Sequence, residues 1–300
     1  MKLPKSKVLE KLRVSLRLLG RDHNTIDSYT RTAGHFYDYV ARQRPGLSNE
    51  QLAEGYLTMR VKRDDVSAST QNHDLAALNA LYAAFGRKLG NVDALRAKRP
   101  QFARHCPTTP EFMALVSELH DTPQCPARLQ ALFMAATGLR ISECIGARLK
   151  DFRREEDKLH LVVRDPKQSH DRWVPIPPML WDALRAQARH ARRVFLFPSP
   201  NPQRHPETKQ FMRWHQPPGY VQHAFARACD KLERAGRILA RITPHHLRHW
   251  YGTHYNGDLR DLQELMGHRS IETTAIYRHP QLDRAESPLV AIASQFKLTA

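Results

Sequence analysis

Along residues 5–88 the apolar side chains recur every three or four positions and nowhere alternate with period two, which predicts successive helices and no strand. Leu9, Leu12, Leu16 and Leu19 set the stripe of the first helix. A second helix is expected over residues 24–42, carrying Tyr29, Phe36, Tyr37 and Val40, and a third over residues 49–60. The fourth begins near Ser69, whose hydroxyl suits an N-cap, and places Leu75, Leu78, Tyr82 and Phe85 on one face. Gly86 and Gly90 end it, since glycine readily takes the left-handed conformation that closes many helices. Helices of this kind hide their stripes only against one another, so residues 1–95 read as a small helical bundle.

The pattern changes after residue 95. Lys98, Arg99, Pro100, Arg104, Pro107 and Pro110 form a basic, proline-punctuated stretch, and residues 96–107 read as a linker. Residues 108–300 form a second, mixed domain. Amphipathic helices are expected over 111–119 and 127–136. The β-rich runs 158–163 and 172–176 flank a polar turn and read as a hairpin. Residues 178–192 read as helical and 194–197 as a short buried strand. Residues 198–218 hold six prolines and read as a loop, followed by a helix over 220–235. Thr243-Pro244 caps and starts a further helix, Asp258 starts another that Gly267 ends, and Ser270 starts a third carrying Tyr277. The fold class is therefore mainly α with a small β-sheet (α+β), a helical domain followed by a mixed one.

Charge narrows the partners. Lys and Arg outnumber Asp and Glu by 47 to 30, a formal net charge of +17 spread over both halves of the chain, which suits an extended contact with a polyanion such as DNA. A basic ribosomal or membrane-surface protein is the alternative. Cys106, Cys125, Cys144 and Cys229 include no CxxC pair and fit neither a zinc site nor a disulfide framework, as expected in a reduced, cytoplasmic setting. The first twenty residues lack the continuous apolar stretch of a signal peptide. No apolar run has the length of a membrane span, residues 131–136 being among the longest.

No Gly-rich phosphate loop, GxSxG elbow, HExxH or EF-hand pattern is present, which disfavours NTP use and zinc hydrolysis. Arg, His and Tyr at helix ends stand out instead. Arg140 follows the helix stop at Gly138, beside backbone N–H groups that favour an anion; a surface arginine is the plain alternative. His245 and Arg248, three apart, share a helix face and can hold one phosphate between them; a merely polar face is the alternative. A metal patch of His245, His246, His249 and His254 is a third reading, but no carboxylate or cysteine completes it. His268 sits in a turn and Tyr277 follows nine residues later; taken alone, these are a turn histidine and a core tyrosine.

In combination, the phrases ATGLRISE, TPHHLRH and LQELMGHRSIETTAIYRH, in this order in one basic chain, resemble the tyrosine recombinase (phage integrase) family. The stretch VSASTQNHDLAALNALY is similar to integron integrases, and residues 1–95 look like the family's core-binding domain. The resemblance implies that residues 108–300 are the catalytic domain. It implies Tyr277 as the nucleophile, Arg140 and Arg248 as the clamp on the scissile phosphate, and His245 and His268 as the two box histidines. It also implies Lys167, on the hairpin turn, as general acid, and Glu143 as support for the first arginine. No cofactor and no metal are implied. The partners would be double-stranded DNA and further copies of the chain, as a tetramer on two sites, in the cytoplasm with the nucleoid and not at a membrane. Pro166 and Gln168 stand where glycines are common in the family, His170 where a second basic residue is, and the stretch 252–258 is short. The rival functions are a type IB topoisomerase and an accessory DNA-binding protein that has lost catalysis.

Overall fold

The computed structural model describes residues 3–90, 95–98, 106–122, 125–164, 171–191, 194–201, 203–204, 211–212, 215–268 and 271–275. The chain divides into two compact units, Met1–Ala103 and Arg104–Ala300.

The first unit is the four-helix bundle: α1 (Lys5–Leu18), α2 (His23–Val40), α3 (Asn49–Asp64) and α4 (Ala68–Ala84). Short polar side chains start the last three by accepting the orphan amides of the first turn. Asp22 accepts from Thr25, Ser48 and Gln51 form a reciprocal capping box, and Ser67 accepts from Thr70. The cap of α4 is thus Ser67, two residues before the expected Ser69. The stripe of α1 is also shifted. Val8, Leu12 and Leu16 are buried, whereas Leu19 lies beyond the helix and is 65% exposed. Gly86, at φ 66°, closes α4 as expected, with the Arg87 amide donating back to the Tyr82 carbonyl. Phe36 and Tyr56 meet edge to face in the core, ring centroids 5.4 Å apart. The buried Asp74 carboxylate accepts from Thr32 Oγ1 on α2 (3.0 Å) and Arg60 Nε on α3 (3.0 Å), joining three helices at one charge. The segment after α4 is held against it: Asn72 exchanges two hydrogen bonds with the Ala97 backbone, and Gln71 donates to the Leu95 carbonyl.

The second unit is built around α6 (Ala127–Thr137), which is buried along its length except at Arg128. Packed with it are α5 (Thr109–Glu118), α9 (Pro218–Arg234) and α10 (Pro244–Thr253). Phe112 on α5 stacks on Trp250 of α10 at 4.7 Å. A three-stranded antiparallel sheet, order β1-β2-β3, covers one flank with β1 (Phe152–Glu155), β2 (Lys158–Val163) and β3 (Arg172–Ile176). Register pairs Leu161 with Val174 and Val163 with Arg172, so Leu161, Val163, Val174 and Ile176 point into the core. The expected hairpin is β2–β3. The third strand, β1, pairs outside β2, where the residue pattern predicts no strand. Residues 194–197 are not a ladder strand: Phe195, Leu196 and Phe197 are buried, Val194 is not, and Phe195 makes only an isolated bridge to Arg148. The 198–218 region holds a two-residue antiparallel ribbon, β4 (Gln203–Arg204) with β5 (Phe211–Met212). After α7 (Ile141–Ile145) and α8 (Trp181–Ala191), the chain ends its described part with α11 (Leu259–Met266) and α12 (Ile271–Ala275). The protein is mainly helical with a small sheet, as the residue pattern implies. Among the described residues no helix is long and apolar enough to cross a membrane.

Candidate active site

Two left-handed glycines shape the site. Gly138 (φ 65°) ends α6, and a Cβ there would lie 2.5 Å from the Tyr251 ring, so any side chain would be driven into α10. Gly267 (φ 62°) ends α11, and its α-carbon is crossed by the Arg172 guanidinium, 3.0 Å from where a Cβ would stand. Each glycine reverses the chain, so that Arg140, two residues after Gly138, and His268, directly after Gly267, leave a helix end.

Arg140 is the N-cap residue of α7. Its amide donates to Glu143 Oε2 (2.8 Å), its Nη1 to Glu143 Oε1 (2.8 Å), and its Nη2 to the Gly267 carbonyl (3.2 Å). Arg248, on α10 and 2% exposed, donates Nη1 to the Gly138 carbonyl (2.7 Å) and Nη2 to the Met266 carbonyl. Arg172, at the start of β3, donates Nη2 to Glu143 Oε2 (2.6 Å) and Nε to the Leu265 carbonyl (2.9 Å). Three consecutive carbonyls at the end of α11, those of residues 265, 266 and 267, thus each accept from a different arginine. The negative end of a helix suits this cluster of positive charge, and its carbonyls lack intrahelical partners.

Glu143 accepts from two of the three arginines, Arg140 and Arg172. Burial pushes its carboxyl up, but the Arg172 hydrogen bond and charge, with the backbone bond and charge of Arg140, outweigh burial and hold it below its ordinary range. His268 follows Gly267; its Nδ1 lies 2.9 Å from Thr274 Oγ1 on α12, and Gln263 Nε2 donates to its carbonyl (3.0 Å). Burial first, then the charges of Arg248, Arg140, Arg172 and His245, lower the His268 imidazole to about 4. The ring is therefore neutral at physiological pH, able to donate one hydrogen bond without adding charge. Because the folded value lies below the ordinary 6.5, the unfolded chain takes up this proton first. This contribution destabilises the fold as pH falls from about 6.5 to about 4 and leaves it unaffected above. An NMR titration of the His268 ring should find a midpoint near 4 in the DNA-free protein; a midpoint at or above 6.5 would refute this reading of the site's charge.

His245 is exposed on α10, its ring edge-on to that of the buried His249 at 4.7 Å. Its place among the charges acting on His268 puts it in the same field. The histidines at the two ends of α10 have local duties: His246 Nδ1 accepts from the Thr243 amide (3.0 Å) at the helix start, and His254, the C-cap residue, bonds back to the Trp250 carbonyl (2.8 Å). No three potential ligands gather to hold a metal ion among the described residues. Lys167 and Tyr277 lie outside the described residues. The site residue missed in the sequence is Arg172. Its signal was available: Arg172, Val174 and Ile176 alternate onto the buried face of β3, and a charge at such a position requires a partner.

Comparison with known proteins identifies the family. Residues 108–284 match the phage integrase family, and residues 8–89 match the phage integrase N-terminal SAM-like domain. The chain is 30% identical to tyrosine recombinase XerA of Pyrococcus furiosus, over 91% of this chain and 89% of that protein. It is 28% identical to an integrase/recombinase of Escherichia coli with the same coverage. Two solved structures share the fold. One is the XerH site-specific recombinase in a post-cleavage complex with its palindromic difH substrate, TM-score 0.66 at 18% identity over 99% of this chain and 98% of that one. The other is a lambda integrase dimer bound to a COC′ core site, TM-score 0.67 at 18% identity over 94% and 98%. With one family model spanning most of the second unit and another most of the first, the chain belongs to the phage integrase family, the tyrosine recombinases.

Proposed function

We propose that this protein is a site-specific DNA recombinase that breaks and rejoins strands through a 3′-phosphotyrosine at Tyr277. The Tyr277 oxygen bonds to the scissile phosphorus as the bond from phosphorus to the 5′-oxygen breaks. The tyrosine proton passes to His245, and the leaving 5′-oxygen takes a proton from Lys167. Arg140 and Arg248 hold the phosphoryl oxygens, on which negative charge grows in the transition state, and neutral His268 donates one further hydrogen bond there. Glu143 fixes Arg140. The ester energy stays in the protein–DNA link, so a 5′-hydroxyl of another strand reverses the step without ATP, and the residue set supplies acid, base and charge without a metal. Residues 108–300 would carry this chemistry, 1–95 would grip the same DNA as a core-binding domain, and 96–107 would link them. Four copies on two sites would complete the exchange, in the cytoplasm on the nucleoid. Relatives of this fold bound to DNA, XerH on difH and lambda integrase on a core site, support the duplex partner.

One observation carries the reading. Three guanidinium groups converge on one helix end, beside a histidine held neutral; such clustered donors of positive charge suit a phosphodiester. The test is covalent trapping on nicked suicide DNA bearing candidate sites, without ATP or added metal. A denaturation-resistant adduct whose DNA-linked peptide contains Tyr277 is the expected result. Tight binding with no adduct on any site would favour the accessory DNA-binding reading. An adduct with relaxation of supercoiled DNA but no exchange between sites would favour a topoisomerase.

A further inference from the structure

We infer that Arg172 is a positioning residue that couples the β2–β3 hairpin to both the Arg140 turn and the His268 turn; this deepens the recombinase reading and rests on it for its catalytic consequence. Three segments distant in sequence meet at this one side chain. Its Nη2 holds the Glu143 carboxylate at 2.6 Å, the same carboxylate that fixes Arg140 through both its amide and its guanidinium. Its Nε holds the Leu265 carbonyl at 2.9 Å, and its Nη1 lies over Gly267, the residue before His268. The side chain is only 10% exposed and Glu143 12%, so water competes weakly for these bonds. Through backbone pairing, Arg172 is also fixed opposite Val163, where β2 and β3 leave the sheet towards the Lys167 segment.

The geometry requires a guanidinium. A planar fork can bond a carboxylate with one nitrogen and a carbonyl with another, at fixed angles. A lysine ammonium reaches the carboxylate or the carbonyl but does not hold both in this geometry. Arg172 itself is turned into the protein by these bonds, so it acts on the phosphate through Arg140 and His268.

The experiment compares wild type with Arg172→Lys and Arg172→Gln in the full chain. Hydrogen exchange is read on peptides covering residues 138–146 and 259–268, and single-turnover cleavage is measured at saturating suicide DNA beside the binding constant. In both variants, exchange in the two peptides is expected to rise about tenfold, because each turn loses a shared anchor. Cleavage at saturation should fall about 10–100-fold while DNA affinity changes less than about threefold, since positioning is lost and the binding surface is not. The charge and geometry arms then separate. Arg172→Lys should keep the low His268 titration midpoint, and Arg172→Gln should raise it. Unchanged exchange in both peptides for Arg172→Lys overturns the inference, whatever the activity. So does a cleavage defect that appears only as weaker binding. If wild type itself gives no adduct but exchange rises as described, the coupling stands and the recombinase reading falls. If Arg172→Gln does not fold, the Lys variant still decides.

Discussion

Arg248→Ala is expected to lower cleavage at saturating DNA by about 10²–10³-fold, the usual cost of removing one fixed donor from a developing charge, and to destabilise the second unit as well. The two losses have one origin. Arg248 is buried on α10, and its guanidinium joins the Gly138 carbonyl at the end of α6 to the Met266 carbonyl at the end of α11. Without it, two carbonyls lose their donor where water has little access, at about 1–3 kcal/mol for each that stays unpaired. The two helix ends that present Arg140 and His268 also lose their common tie. Arg248→Lys should recover part of the stability, through one carbonyl, and little of the cleavage. Urea unfolding of each variant, beside single-turnover trapping, separates the effects. Full stability with lost cleavage would leave Arg248 a substrate contact and remove its role as the tie between the helices.

Much of this arrangement was legible in the order of residues, and the gaps have physical causes. Helix positions followed from three-to-four spacing, and β2 and β3 from β-rich runs around a polar turn. The glycine stops at 138 and 267 followed from the left-handed conformation that closes a helix, and Arg140, Glu143, His245, Arg248 and His268 from motif phrases. Errors arose where local pattern and tertiary burial part company. Leu19 continues the α1 stripe in sequence but falls after the helix end, so nothing covers it. Strand β1 reads FRRE, too polar to signal a strand, because it lies at the sheet edge with three of its four residues exposed. Residues 194–197 are apolar, and three of them are buried, yet they make only an isolated bridge in place of a ladder. The row of carbonyls 265–267 is invisible in the sequence, since backbone acceptors have no letter code, and with it the function of Arg172 was hidden. Lys167 and Tyr277 rest on their motifs alone.

Glu143→Ala should be the most damaging substitution for stability among the charged residues of the site. It leaves Arg140 and Arg172 side by side, with the Gly267 and Leu265 carbonyls as their partners among the described residues. Removing one partner of a buried ion pair costs about 3–5 kcal/mol, which in a unit of this size lowers the melting temperature by about 10 °C. Arg140 also loses the two bonds that aim it, so cleavage should be lost as the fold weakens. The pH dependence identifies the cause. Arg172 and Arg140 hold the Glu143 carboxyl below its ordinary value of 4.5, so the stability it brings is fully present above about 4.5 and is lost as pH falls through the lowered folded value. The gap in melting temperature between wild type and Glu143→Ala should therefore be constant from pH 7 to about 5 and narrow below about 4.5, as wild type itself protonates the group. The falling stability due to His268 affects both proteins over pH 6.5 to 4 and largely cancels in the difference. A gap that stays constant down to pH 3 would mean that Glu143 stabilises by packing, and that the ion cluster at the end of α11 is held together by the helix end and the arginine geometry alone.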